Sequence, residues 1–177
     1  MKWYQDLIYW LTIKPRLRRL QKEFPDCQIF PTGSRYVCDP PVLTTDIDFI
    51  VYNKHSEGIK LIEWAWQKSS ITEYMSGGEE DKFSSYRRKK VNLIVSQDRG
   101  FVQGYIIATH ICKRFNLLDK HHRVWVHAIV RDCVASEVPE HFKNNDDLTK
   151  LLNQFKSNYR QAVMRAYADC YNLRLKD

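Results

Sequence analysis

Asp46 and Asp48 flank Ile47 at the head of the apolar run Phe49-Ile50-Val51-Tyr52. In an extended strand, residues two apart share a face and lie roughly 6.5–7 Å apart along the backbone. Both carboxylates are therefore expected to project together, with Ile47 and Phe49 turned to the core. Such a pair suits a hard cation, Mg2+ (or Mn2+), which takes oxygen ligands and completes its shell with water and phosphate. The same spacing also serves merely to keep a strand edge solvated, so Asp-x-Asp alone does not decide. Gly33-Ser34 stands upstream, separated from Asp46 by the loop 35–45. Glycine lets backbone approach a phosphate with no side chain in the way, and Ser34 can offer its N–H and hydroxyl. Arg35 adds a charge for a terminal phosphate, or is a solvated loop arginine. Turn, spacing and strand parity together point to a metal–triphosphate site.

The elements that must hold these groups are a small sheet and flanking helices, an α+β chain. Trp3, Tyr4, Leu7, Ile8 and Leu11 have helical spacing, Pro15 predicts a kink or a fresh start, and Leu17, Leu20 and Phe24 continue the face. Residues 27–32 predict a strand into the turn, 47–52 a second strand, and 55–70 a largely buried helix. Residues 71–75 read as a strand or a helix exit, and 76–81 as a turn. Lys82–Tyr86 and Lys90–Ser96 read as two antiparallel strands. After Asp98 the spacing is helical over 101–118 and 120–133, with Asp98 and Asp119 as N-caps. Residues 135–145 are loop-like, and a long amphipathic helix follows, capped by Asp146 or Asp147. One domain over 1–177 is expected: N-terminal helices to 26, a sheet core over 27–97 and a helical half from 98.

Composition narrows the class. The 177 residues are 44% hydrophobic and 13% aromatic, which suits a packed core and not a disordered chain. The formal net charge of +7 favours a polyanionic partner, nucleic acid or a phosphate-rich nucleotide. Five cysteines without Cys-x-x-Cys spacing indicate neither a zinc knuckle nor a disulfide framework, but reduced thiols in a cytosol. No apolar run reaches about 18 residues, so no membrane span is expected, and the N-terminus lacks a signal core. A cytoplasmic setting is expected.

Gly33-Ser34 with Asp46-Ile47-Asp48 and a neighbouring strand resembles the core pattern of the nucleotidyltransferase superfamily. That resemblance implies a small mixed sheet, two metals on the triphosphate, and a hydroxyl attacking the α-phosphate as pyrophosphate leaves. It also implies a third carboxylate on the next strand, acting as shared ligand and base. The matching segment here is Val91-Asn92-Leu93-Ile94-Val95, so Asn92 holds that position. An amide lends a carbonyl oxygen but carries no charge and accepts no proton. A closer resemblance is to small nucleotidyltransferase-like proteins of bacteriophages. It runs through 91–95 to Asp98, Ala108-Thr109, Lys120 to Arg123-Val124, and Gly33-Ser34-Arg35 with Pro40-Pro41. It spans residues 30–130, implies that Asn92 is a group trait, and would place the protein in a host cytoplasm.

Arg87-Arg88-Lys89-Lys90 is the densest basic run. It could hold phosphates of a nucleic-acid acceptor or of the triphosphate, with Tyr36 and Tyr86 as stacking surfaces, or simply solubilise a hairpin. Lys120 and Arg123 match the part of the family fold that holds a triphosphate. His121, His122 and His127 show no metal-ligand spacing. Two functions fit this sequence. One is transfer of a nucleoside monophosphate from an NTP to a hydroxyl of RNA, protein or a small molecule. The other is a catalytically reduced protein that binds nucleotide, RNA or a host protein without transfer.

Overall fold

The apolar positions along the chain alternate in strands and recur every three or four residues in helices, and the fold follows that division. A computed structural model of the chain describes residues 2–54, 61, 63–65, 74–75, 83–132, 145–158 and 161–162. The expected turn at 76–81, most of the helix at 55–70, the loop at 135–144 and the helix beyond Ser157 (161–162 apart) lie outside them.

The N-terminal arm is helical throughout: α1 (Lys2–Ile8), a π turn (Tyr9–Ile13) and α2 (Lys14–Glu23). The fresh start expected at Pro15 is found: α2 begins at Lys14 with the proline in its first turn, directly after the π turn. The proline ring would crowd the carbonyl four residues back, and it supplies no N–H. The wider π turn just before it relieves that conflict, with the Lys14 N–H donating to the Tyr9 carbonyl. Side chains take up nearby carbonyls: Thr12 Oγ1 donates to Ile8 O at 2.7 Å and Arg16 Nη1 to Thr12 O at 2.7 Å.

Among the described residues the sheet has five strands: β1 (Gln28–Thr32), β2 (Ile47–Tyr52), β3 (Tyr74–Met75), β4 (Ser84–Arg88) and β5 (Val91–Ser96), in the order β1-β2-β5-β4-β3. Of their four pairings, β2–β5 is parallel and the others are antiparallel. The register lines up Thr32, Asp48, Asn92 and Arg87 in one polar row across four strands. The next row, Pro31, Phe49, Leu93 and Tyr86, is apolar and faces the other side.

That second face is sealed except at its hairpin end, where a cavity opens beside the N-terminal arm. Ile29, Ile47, Phe49, Val51, Leu93 and Val95 pack with Ile13, Leu20 and Phe24 from the N-terminal arm and with Leu61, Trp64 and Ala65. Each fully buried side chain of this size contributes roughly 1.5–3 kcal/mol relative to exposure. On the first face, Ile50 and Tyr52 meet Phe101, Val102 and Ile106 of α4 (Arg99–Arg114). The polar row lies beyond that contact, at the end of the sheet where α5 (Lys120–Asp132) passes. A second cluster joins α4, α5 and α6 (Asp146–Ser157) through Ile107, Ile111, Val126, Ile129, Leu148 and Leu152. The architecture is α+β: a mixed sheet packed by helices, with helices after residue 98.

The caps follow the side-chain chemistry. Asp98 accepts from the Phe101 N–H at 2.9 Å, and Asp119 from the N–H groups of His121 and His122 at 2.6 and 3.2 Å. The expected cap of α6 is corrected: Asn145 accepts from Leu148 N at 3.1 Å, and Asp146 and Asp147 occupy the first turn, where their charge suits the helix dipole. Cys27, Cys38 and Cys112 are buried and in no disulfide; Cys133 and Cys170 lie outside the described residues.

Candidate functional site

Gly33 and Asp48 are made for each other. Gly33 has φ +75° and ψ 176°, a region essentially reserved for glycine. A Cβ there would sit 2.1 Å from Asp48 Oδ2. The turn backbone therefore lies directly against the carboxylate. From that turn a single helical turn, α3 (Ser34–Val37), begins. Ser34 Oγ and Thr45 Oγ1 are 2.9 Å apart, and Thr45 Oγ1 donates to Val42 O at 2.9 Å. Since a threonine hydroxyl has one proton, Ser34 is the donor of the first bond.

Asp48 is held by its neighbour on β5. Asn92 Nδ2 donates to Asp48 Oδ1 at 3.0 Å, and Asn92 Oδ1 accepts from Ser85 Oγ at 3.1 Å. A carboxylate only accepts, which fixes the amide with its nitrogen toward Asp48. Burial raises the Asp48 carboxyl above its ordinary range, and the Asn92 hydrogen bond opposes this; Asp46 raises it further, while Arg87 and Arg35 lower it. Asp46, just before β2, is paired with Arg87 Nη2 at 2.9 Å. Thr32, at the end of the row, has its hydroxyl 2.8 Å from that of Thr109 on α4.

Gly33, Ser34, Asp46, Asp48, Arg87 and Asn92 line a cavity of about 490 Å3, with α5 on its far side. From that helix Lys120, Arg123, Val124, His127 and Ala128 face inward, one stripe at helical spacing. Arg123 Nη1 also donates to the carbonyls of Leu117 and Leu118 at 2.8 and 2.6 Å. Cys38 Sγ donates to Leu117 O at 3.6 Å, while Asn116 and Asp39 exchange two hydrogen bonds of 2.7 and 2.8 Å. The loop after α3 and the turn before α5 are thus stitched together, with Arg123 linking them to the cavity wall. Burial pushes the Cys112 thiol up to about 12 despite Arg123 nearby, so this cysteine is no nucleophile.

Of the residues singled out in the sequence, Gly33, Ser34, Asp46, Asp48, Asn92, Arg87, Lys120 and Arg123 line this one cavity. Arg35 does not. It is buried, with Nη2 donating to Leu43 O and, at 2.5 Å, to Thr45 O, so it clamps the 35–45 loop from behind. Arg88, Lys89 and Lys90 line a separate cavity. Tyr86 is buried in the sealed face, and Tyr36 packs on Tyr9 and under Lys113, so neither lines the cavity. Tyr105 and His127, in edge contact with ring centroids 4.4 Å apart, line the cavity and were not anticipated. The seven-residue step from Lys120 to His127 was the available signal.

No group of three or more His, Cys, Asp or Glu able to hold a metal occurs among the described residues. The donor set fits a narrower role: two carboxylates facing a cationic wall suit one Mg2+ whose other ligands come from phosphate. Among the described residues no helix is long and apolar enough to cross a membrane.

No protein-family model matches the chain, and no curated protein matches it either. Among solved structures, the crystal structure of conserved protein GrpB from Enterococcus faecalis aligns over 92% of this chain and 95% of its own. The identity is 10% and the TM-score 0.46, figures that do not bear on the chemistry of the cavity.

Proposed function

We propose that this cavity binds a nucleoside triphosphate with Mg2+ or Mn2+ and that the protein is a nucleotidyltransferase of minimal type. It would move a nucleoside monophosphate to a hydroxyl of RNA, protein or a small molecule and release pyrophosphate. The observation that carries this reading is the convergence of Asp48 on β2 and Asp46 just before it, the Gly33-Ser34 turn, and the cations Arg87, Lys120 and Arg123 around one space. A bound divalent ion would supply charge neutralisation on the phosphates. Asp46 and Asp48 would hold it, Asp46 exchanging its Arg87 partner for the ion. Gly33 leaves the backbone open to phosphate oxygens, and Arg87, once released, joins Lys120 and Arg123 in offsetting the charge of the leaving pyrophosphate.

A second reading is nucleotide binding without transfer, favoured by Asn92. Its amide nitrogen is turned to Asp48 and its carbonyl to Ser85, so it positions Asp48 and presents no base. Loss of a positioned base typically costs about 10²- to 10⁴-fold.

One experiment separates the two. The protein is incubated with each α-labelled NTP, Mg2+ or Mn2+, and RNA or protein acceptors. Label transfer that disappears in Asp46→Ala supports the enzyme. Thermal stabilisation by NTP plus metal with no transfer supports the binder, and Asn92→Asp should then gain transfer by a factor within that same range of about 10²–10⁴. Absence of any thermal shift with NTP and metal would sink both readings.

A further inference from the structure

Strand parity splits the basic run. Arg87 pairs with Asn92 and faces the first cavity; Arg88 pairs with Val91 and faces the opposite side of the sheet. There a second cavity of about 340 Å3 opens between the β4–β5 hairpin and α2, within the usual size range for a ligand site of roughly 300–1,000 Å3. Its rim carries Arg16 and Arg19 from α2 and Arg88, Lys89 and Lys90 from the hairpin. Its apolar wall is Leu20, Trp64 and Val91. Among its lining residues Glu23 is the one acid, 3.7 Å from Arg88, whose guanidinium also lies 5.3 Å from the centre of the Trp64 ring.

We propose that this second cavity binds the phosphodiester backbone of a single-stranded nucleic acid. Five cations against one carboxylate call for a polyanion. Beneath that rim, Val91 and the exposed edge of Trp64 give a base apolar surface beside its phosphate. The exposed Lys89-Lys90 turn joins this cavity to Arg87, so one strand of regularly spaced charge can follow the hairpin edge toward the first cavity. The turn itself adds an independent observation. Lys89 has φ +53°, a left-handed conformation that glycine or asparagine adopts more cheaply. A lysine there keeps a charge at a conformational cost. Naming nucleic acid as the hydroxyl acceptor rests on the transferase reading above; the binding itself does not.

The test is fluorescence anisotropy of the full chain with labelled single-stranded RNA and DNA oligonucleotides across a salt series. Binding is expected, and Arg19→Ser with Lys89→Gly should weaken it at least about tenfold and flatten the log–log salt slope by about 1.4, the yield of two lost phosphate contacts. Lys89→Gly alone should raise the melting temperature while lowering affinity, which separates this outcome from misfolding. Asp46→Asn should lose the Mg2+–ATP thermal shift yet keep oligonucleotide affinity, so failure of the first site is distinguishable from failure of the second. The proposal falls if neither oligonucleotide binds, if the double variant binds as the wild type does, or if polyglutamate of equal charge displaces the oligonucleotide equally well. That last result would point to an acidic protein instead.

Discussion

The two faces of the sheet are built on the same strands and do opposite work. One face is apolar from Ile29 to Val95 and, apart from the cavity at its hairpin end, sealed by the N-terminal arm and by Leu61, Trp64 and Ala65. The other is apolar only where α4 covers it. Where that cover ends, the register brings Thr32, Asp48, Asn92 and Arg87 into one row and leaves them beside α5. Stability is concentrated on one side, and polar groups that cost stability are gathered at one end of the other. A single residue step along a strand separates the two roles.

The largest effect should come from damage to the sealed face. Phe49 is fully buried, and Phe49→Ala should lower the unfolding free energy by about 3–5 kcal/mol, read by urea denaturation. A loss under about 1 kcal/mol would mean the two faces are not so unequal.

Gly33→Ala tests the polar end. The strained backbone costs about 1–3 kcal/mol, and the new Cβ displaces the Asp48 carboxylate. The expected result is a lower melting temperature together with loss of the Mg2+–ATP thermal shift. An unchanged shift would show that the turn and the carboxylate are not one unit.

The smallest effect has the opposite sign. Because burial raises the Asp48 carboxyl, its contribution to stability is present below the ordinary carboxylate range and is lost as pH rises through the raised value. Ionised Asp48 therefore costs stability at pH 7. Asp48→Asn keeps the acceptor for Asn92 Nδ2 and should raise the metal-free melting temperature by a few degrees at pH 7. The gain should shrink as pH falls toward about 4. With Mg2+ and ATP the order should reverse. A variant less stable than wild type at pH 7 without metal would contradict the charge argument.

Much of this was legible because it is local. Strand parity placed Asp46 and Asp48, the Gly33-Ser34 turn announced itself by residue type, and Asp98 and Asp119 capped as aspartates do. Parity also separates Arg87 from Arg88, although the basic run read as a unit. What was hidden depends on tertiary position. Arg35 looks like a loop cation until the 35–45 loop is seen folding over it. Tyr105 and His127 enter the cavity through the rotation of two helices about their axes, which spacing alone leaves free. Pro15 marks a fresh helix start in the sequence as in the structure; the π turn through which the arm reaches it is what residue type alone does not reveal.

The stitching of the loop after α3 to the turn before α5 has a mechanical consequence. Asn116, at φ +47°, grips Asp39 from 77 residues away, and Arg123 and Cys38 converge on the Leu117 carbonyl. The loop and the turn therefore cannot drift apart independently, and Arg123, which lines the cavity, is anchored to the same turn. A surface loop ordinarily tolerates added length, but one extra residue between Asn116 and Asp119 would shift that anchor. In this protein the length of a short turn helps decide where a cavity cation stands.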